Sequence, residues 1–452
     1  MKRFTRLTAL RLSTVVTSLA LSGLAFTGAA QASTLEQAVA HTLDSNPQIR
    51  LSFNRFKSSE EQVNAARGGY LPQIDLYARG GYDWADIPSG RKQQPADHDL
   101  EHNPMQSGIS LSQLLFDGFK TNGEVDRLGA EAAAEQWTLL STAEDIALNA
   151  VARYIGLLAA QQQYELAEHN LANHQQVHDK IKQRSDSGLG SSADLAQSSG
   201  RLARANANKI AAYNNLLDAE SQYRTVIDLA PADLTIPMPD FDMLPQNLEE
   251  ALSSTADHPV LKTSRFDVIA AEHQRDVAKS DYYPTLELRL DGSWGNEISN
   301  SDGHYNDASA MLEVRYNLFA GGTTKARERS AAYQLGSAKS IQEQAYRQVT
   351  EGMKLSWSAY QQLSLQQQFI RQHVEAAKQA QLAYSEQFRL GQRSLLDLLD
   401  TENELFQARQ DYIRTEMDQL LAAYRVLNAS GRLLDSLRIT RPPQWQAERD
   451  YQ

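Results

Sequence analysis

"GGYLPQIDL", residues 68–76, returns as "SDYYPTLEL", residues 280–288, with Pro72 and Pro284 in register 212 positions apart. In each copy a period-two pattern follows the proline, the signature of a strand with one apolar and one wet face. Ile74, Leu76, Ala78, Tyr82 and Trp84 alternate with Gln73, Asp75, Arg79 and Asp83. In the second copy Leu286, Leu288, Leu290 and Trp294 alternate with Thr285, Glu287, Arg289, Asp291 and Ser293. A polar loop comes next, "GRKQQPADHDLEHNP" (90–104) or "NEISNSDGHYND" (296–307), and then a return strand. That strand carries Met105, Ile109 and Leu111 in one copy and Leu312, Val314, Tyr316 and Leu318 in the other. A soluble protein would half-bury such hairpins. Strands of about ten residues with aromatics near their ends fit a lipid-facing barrel instead.

The echo extends outward from these strands. "TLEQAVAHTLDSNPQI" (34–49) matches "NLEEALSSTADHPVL" (247–261). "LLFDGF" (114–119) matches "NLFAGG" (317–322), and "SGLGSSADL" (187–195) matches "LGQRSLLDL" (390–398), both 203 apart. The change of offset is a single nine-residue length difference between Pro72 and Phe116. Residues 33–230 and 247–436 are therefore two copies of one unit, followed by a C-terminal tail, 437–452. The proline-rich run 231–246 links them.

Proline also divides each unit. None occurs between Pro104 and Pro231, or between Pro284 and Pro442, and these tracts are rich in good helix formers. From about Lys120 to Arg184 and from about Thr324 to Leu390 nothing stops a helix, and each run would reach roughly 100 Å. Both end at a glycine, Gly188 or Gly391, and a second helix follows. The expected fold is α+β and mainly α, with two long antiparallel helical hairpins and four strands per chain. After Gly391, Leu398, Leu405 and Tyr412, with Leu399, Phe406, Ile413 and Leu420 beside them, form a heptad seam. Asp397, Asp400, Glu404 and Asp411 gather on the other side, a face in contact with water.

Lys2, Arg3, Arg6 and Arg11, an apolar run from Leu12 to Phe26, and Ala30-Gln31-Ala32 make residues 1–32 a secretory signal peptide, cleaved near Ala32/Ser33. Without those four cations the formal charge moves from -12 to -16, which argues against a nucleic-acid partner. The chain has no cysteine, hence no disulfide framework and no lipid anchor on cysteine. No later stretch has the ~18 apolar residues of a spanning helix. Four strands cannot close a membrane barrel, which takes at least about eight, and an open edge is not viable in lipid. The chain is thus expected to oligomerise: two copies would supply eight strands and three would supply twelve.

The ordered set of duplicated unit, proline-headed strands, "LFDGF" with "LFAGG", glycine turns and "GQRSLLDLLD" resembles the TolC family of outer-membrane exit ducts across residues 34–436. The resemblance implies a homotrimer with a twelve-stranded barrel in outer-membrane lipid and a helical tunnel through the periplasm. A periplasmic adaptor would join it to an inner-membrane ABC transporter or proton-driven pump. It places the family's aspartate ring at the pore constriction on Asp397 and Asp400. The arginine of the closed gate falls on Arg393, and the acid it pairs with on Asp194. The gate tyrosine falls on Phe388, which lacks the hydroxyl. The adaptor-binding tips fall on Ser187, Gly188 and Leu189 and on Leu390, Gly391 and Gln392, where the second tip departs from the family's Gly-Leu pattern.

The residues themselves add a distinction. Ser394-Leu395-Leu396-Asp397 has the spacing of a capping box, as has Ser191-Ser192-Ala193-Asp194. Asp397 is therefore read first as a helix-start residue, with Ser191 and Ser394 as caps. Asp400 aligns with Gln197 and lies beyond the first turn, so it is the copy-specific acid expected to attract cations. His174 and His178 lie one helical turn apart without a third ligand and are read as a solvated face, so no metal or cofactor is expected. No phosphate loop or nucleophile elbow is present, and no enzyme is expected. The leading reading is an exit duct for type I protein secretion. The alternatives are the outer-membrane part of a small-molecule or drug efflux pump, and a periplasmic coiled-coil scaffold whose strands never meet lipid.

Overall fold

The computed structural model describes residues 34–86, 99–296 and 303–448. The expected signal peptide and the middles of both polar loops lie outside them. The first repeat runs α1 (Leu35–Ser45), α2 (Pro47–Arg67), β1 (Gln73–Gly80), β2 (Asp83–Asp86), β3 (Asp99–His102), β4 (Met105–Phe116), α3 (Lys120–Asp186) and α4 (Ser192–Ile227). The second runs α5 (Leu248–Ser253), α6 (Pro259–Ser280), β5 (Thr285–Asn296), β6 (His304–Arg315), α7 (Thr323–Arg389), α8 (Leu395–Ala429) and α9 (Leu433–Ser436). α3 and α7 each span 67 residues, so each is roughly 100 Å long at 1.5 Å per residue. Among the described residues no helix is long and apolar enough to cross a membrane.

The strands form one antiparallel sheet in the order β1-β4-β5-β6, with β2 and β3 paired separately. The register brings the two apolar alternations onto one face: Ile74 lies opposite Leu111, Leu111 opposite Leu290, and Leu290 opposite Ala310. The other face is wet and holds Arg289 between Glu287, at 3.1 Å, and Glu313, at 3.6 Å. Three boundaries differ from the sequence expectation. The first alternation breaks at Gly80-Gly81 into β1 and β2, and β3 begins inside the segment expected to be loop. β6 ends at Arg315, leaving Tyr316 and Leu318 outside the ladder.

The main core lies where the middle of α3 and the C-terminal third of α8 meet α1 and α2. The buried Tyr154 hydroxyl donates to the Thr235 carbonyl (2.9 Å) and accepts from the Thr235 N–H (3.0 Å), which pins the proline-rich linker against α3. Glu144, also buried in α3, accepts the N–H groups of Leu433 (3.0 Å) and Leu434 (3.3 Å) and so holds the start of α9. Burial pushes its carboxyl up to about 7 despite those two bonds. The C-terminal segment docks as well. Trp445 is buried, its carbonyl accepts from Gln136 (3.1 Å), and the Glu448 N–H donates to Glu60 (2.9 Å).

Candidate functional site at the hairpin tips

Both long helices end by the same turn. Gly188 (φ 72) and Gly391 (φ 75) take the left-handed conformation after Ser187 and Leu390. Leu189 N–H reaches back to Arg184 O, and Gln392 N–H to Gln387 O, both at 2.9 Å. With the inner bonds from Gly188 to Ser185 and from Gly391 to Phe388, this is a Schellman stop, which needs a residue free to adopt positive φ. Leu189 and Leu390 project from the two tips as exposed apolar side chains.

The return helices start differently. Ser394 Oγ accepts the Asp397 N–H at 3.2 Å and Asp397 Oδ2 accepts the Ser394 N–H at 3.3 Å, so the expected box is closed. In the first copy Ser191 Oγ accepts the Ala193 N–H at 3.1 Å, and the box with Asp194 is not made. The shared spacing thus yields a full box once and a half cap once. Gly190 also has no room for a side chain, since a Cβ there would lie 2.8 Å from Ser185 N; its counterpart in the second copy is Arg393.

Arg393 lies over the Tyr384 ring, 4.5 Å from its centroid. Its Nε donates to Gln387 at 3.1 Å, and its Nη1 is 3.8 Å from Asp397. Within one chain these are its partners, and Asp194 is not among them. Phe388 takes no part in a polar link. It packs with Ile181, Leu395 and Leu399 in an apolar cluster that ties the two tips together.

Asp400 is not an unengaged acid. Arg201, on α4, donates to its Oδ1 at 2.7 Å across the gap between the hairpins. Sequence reading missed Arg201 because no motif marks it. The signal was present in the repeat: Arg201 aligns with Glu404, so it is as copy-specific as Asp400. Glu404 itself meets His373 Nε2 at 2.9 Å. His174 is buried, not solvated, and burial together with nearby Arg201 lowers its pKa. His178 Nδ1 meets Ser198 Oγ at 3.1 Å. Among the described residues no cluster of three or more His, Cys, Asp or Glu is placed to hold a metal.

Known proteins share this arrangement of a small sheet and long helices. The model of the outer membrane efflux protein family matches residues 38–227 and 248–432, both repeats. The chain belongs to the outer membrane efflux protein family. It is 29% identical to the outer membrane efflux protein BepC of Brucella suis, covering 97% of this chain and 94% of BepC. It is 22% identical to the alkaline protease secretion protein AprF of Pseudomonas aeruginosa, over 86% of this chain and 82% of AprF. The CmeC outer membrane channel of Campylobacter jejuni shares the fold, with a TM-score of 0.77 over 88% of this chain and 86% of that one at 15% identity. The resemblance carried by the duplicated unit is borne out. Members of this outer membrane efflux protein family are transport channels.

Proposed function

We propose that the protein is a passive outer-membrane exit duct: a homotrimer whose sheets close a twelve-stranded barrel in lipid and whose hairpins line a periplasmic tunnel. The observation that carries this is the sheet itself. One face is a continuous apolar band including Leu76, Ile109, Leu290 and Leu312, and both outer strands have free edges among the described residues. Leu76 is 80% exposed and Leu312 62% in the single chain. Such a band is stable in lipid and costly in water, which counts against a scaffold that stays in the periplasm.

In this reading the tips, Ser187–Leu189 and Leu390–Gln392, meet a periplasmic adaptor that connects the duct to an inner-membrane ABC transporter. Asp397 and Asp400 line a cation-selective constriction, and Arg393 latches it by reaching Asp194 of another copy. The cargo is protein delivered by type I secretion, a reading supported by the protease secretion that AprF is named for. A second reading, small-molecule efflux with a proton-driven pump, is supported by the efflux designation of BepC. Deleting the protein separates the two: loss of a secreted protein from the medium supports secretion, and drug or detergent sensitivity with normal secretion supports efflux. Recovery as a monomer in the soluble periplasm, with no heat-modifiable trimer in outer membranes, would overturn the duct.

A further inference from the structure

The two repeats carry opposite charge where their long helices leave the sheet. At the foot of α3, residues 117–127 hold three acids and two bases; the counterparts at the foot of α7, 320–330, hold one acid and three bases. Asp117, which accepts the N–H groups of Lys120 (3.0 Å) and Thr121 (2.7 Å), is replaced by Ala320. Lys325 stands at the position of Asn122, Arg327 at that of Glu124 and Arg329 at that of Asp126.

On α3 acid and base answer one another, since Arg127 pairs with both Glu124 and Glu131. On α7 only part of the charge is met. Arg327 reaches Asp281 at 2.9 Å, and Glu328 accepts the Tyr282 hydroxyl at 3.0 Å. Lys325 and Arg329 are exposed and make no ion pair among the described residues. We infer that the foot of α7 binds the phosphate groups of anionic phospholipid in the inner leaflet of the outer membrane, through Lys325 and Arg329. This rests on the barrel reading above and adds a lipid class to it.

Hydrogen bonds in the first repeat fix which side of the wall this is. In β4, Gln113 has the parity of Ile109 and Leu111 and so shares the apolar face. Its amide donates to the Tyr70 carbonyl at 3.2 Å, and the Tyr70 hydroxyl donates to Asn122 at 2.8 Å. Asn122 therefore lies beneath the apolar face, and its counterpart Lys325 lies beneath that of β5 and β6. Packing on both flanks does not cover this side of the helix. Thr121 lies beside Gly69 and Gly123 beside Val277 of α6, yet Asn122 and Asp126 stay exposed.

The apolar band and the cations are continuous along the chain. From Val314 the band runs past the end of β6 through Tyr316, Leu318 and Phe319, all exposed, before the chain enters α7. From Lys325 to Arg329 the helix rises about 6 Å, the depth of a headgroup layer of roughly 5–8 Å beside the hydrocarbon core. An acyl chain against Leu318 and Phe319 thus carries its phosphate to the level of both cations. The long stems of Lys325 and Arg329 lie along apolar surface while their charged ends reach outward, and a guanidinium suits a phosphate geometrically. At the foot of α3, Asp117 and Asp126 would repel the same headgroup, so each copy of the chain offers one such site.

The test uses the full-length protein reconstituted in phosphatidylcholine vesicles at low salt, with spin-labelled phosphatidylglycerol and spin-labelled phosphatidylcholine as probes. The lipid held at the protein should favour phosphatidylglycerol about three- to fivefold. Lys325→Gln/Arg329→Gln should bring this preference close to parity. Asn122→Lys/Asp126→Lys, which gives α3 the charges of α7, should raise it. A parent without preference, or an α7 variant that keeps the parent's preference, would overturn the site. Should the α7 variant fail to fold, the α3 variant decides, and no gain there would overturn the site. Millimolar inorganic phosphate should leave the preference unchanged; its loss would mean a site for free anions and overturn the lipid assignment. A parent that immobilises neither probe would overturn the barrel reading itself.

Discussion

α3 and α7 have the same length, the same glycine stop and the same place in their repeats, yet they live in different surroundings. α3 buries side chains along its whole length, from Gly123 to Ile181. Among the described residues α7 buries only Ala331, Leu335, Ala345, Met353, Trp357 and Ala377. α3 is flanked by α2, α4, α6 and α8, whereas α7 sits at the margin of the single chain. The difference teaches that a helix's apolar content must be matched to the unit that finally covers it. The exposed tyrosines of α7 stand where α3 has buried alanines.

The contrast can be broken most forcefully at Leu157, fully buried in α3. Leu157→Ala should cost about 2–5 kcal/mol through lost transfer energy and a residual cavity. Heat-induced loss of helical circular dichroism should show it in monomer and oligomer alike. Ile341→Ala on α7 should leave the monomer within about 0.5 kcal/mol of the parent and lower only the dissociation temperature of the oligomer. An equal effect on both forms would remove the distinction.

Glu144 has no acidic counterpart on α7, where Arg347 occupies its position. Its carboxyl, normally near 4.5, is raised to about 7 by burial, so the folded chain binds that proton more tightly than the unfolded one. Its contribution is therefore most favourable below about 4.5. It declines as pH rises from about 4.5 to 7 and is flat above that, an effect on the order of 3 kcal/mol. Glu144→Gln should flatten this slope in urea titrations taken across the window, although it gives up one of the two acceptors at α9. An unchanged slope would mean that Glu144 does not titrate there.

The helix starts supply a smaller contrast. Ser394→Ala should cost about 1 kcal/mol and Ser191→Ala less, because only Ser394 sits in a closed box. Equal costs in denaturant melts would show that Asp397 adds nothing to its cap. The smallest effect is expected at the proposed constriction. Arg201→Ala should raise single-channel preference for cations about two- to threefold by releasing Asp400, and Asp400→Ala should lower it. Asp397→Ala should change it less. Identical recordings for all three variants would place these residues away from the ion path.

Much of this protein can be read along the chain because its signals are local or repeated. Proline-free tracts bounded by Gly188 and Gly391 located the 67-residue helices to within a few residues, since helix stops are short-range chemistry. Ser394 and Asp397 announced their box by spacing alone. The Ser191 spacing announced one too, and the structure leaves it half made. The pairing of Arg201 with Asp400 and the packing of Phe388 were beyond reach for a different reason. Their roles depend on which helix faces which at the tip, and no local pattern encodes a contact made 199 residues away, as between Arg201 and Asp400.

By itself the sequence determined the duplicated unit, the strands with one apolar face, the paired long helices and the tight turns between them, because each follows from periodicity or from one residue's allowed backbone. Only the tertiary structure decided that Arg201 compensates Asp400, that Phe388 packs in an apolar cluster between the two tips, and that His174 is buried. These are outcomes of packing between distant segments, where the energy of a side chain is set by its neighbours in space rather than by its neighbours along the chain.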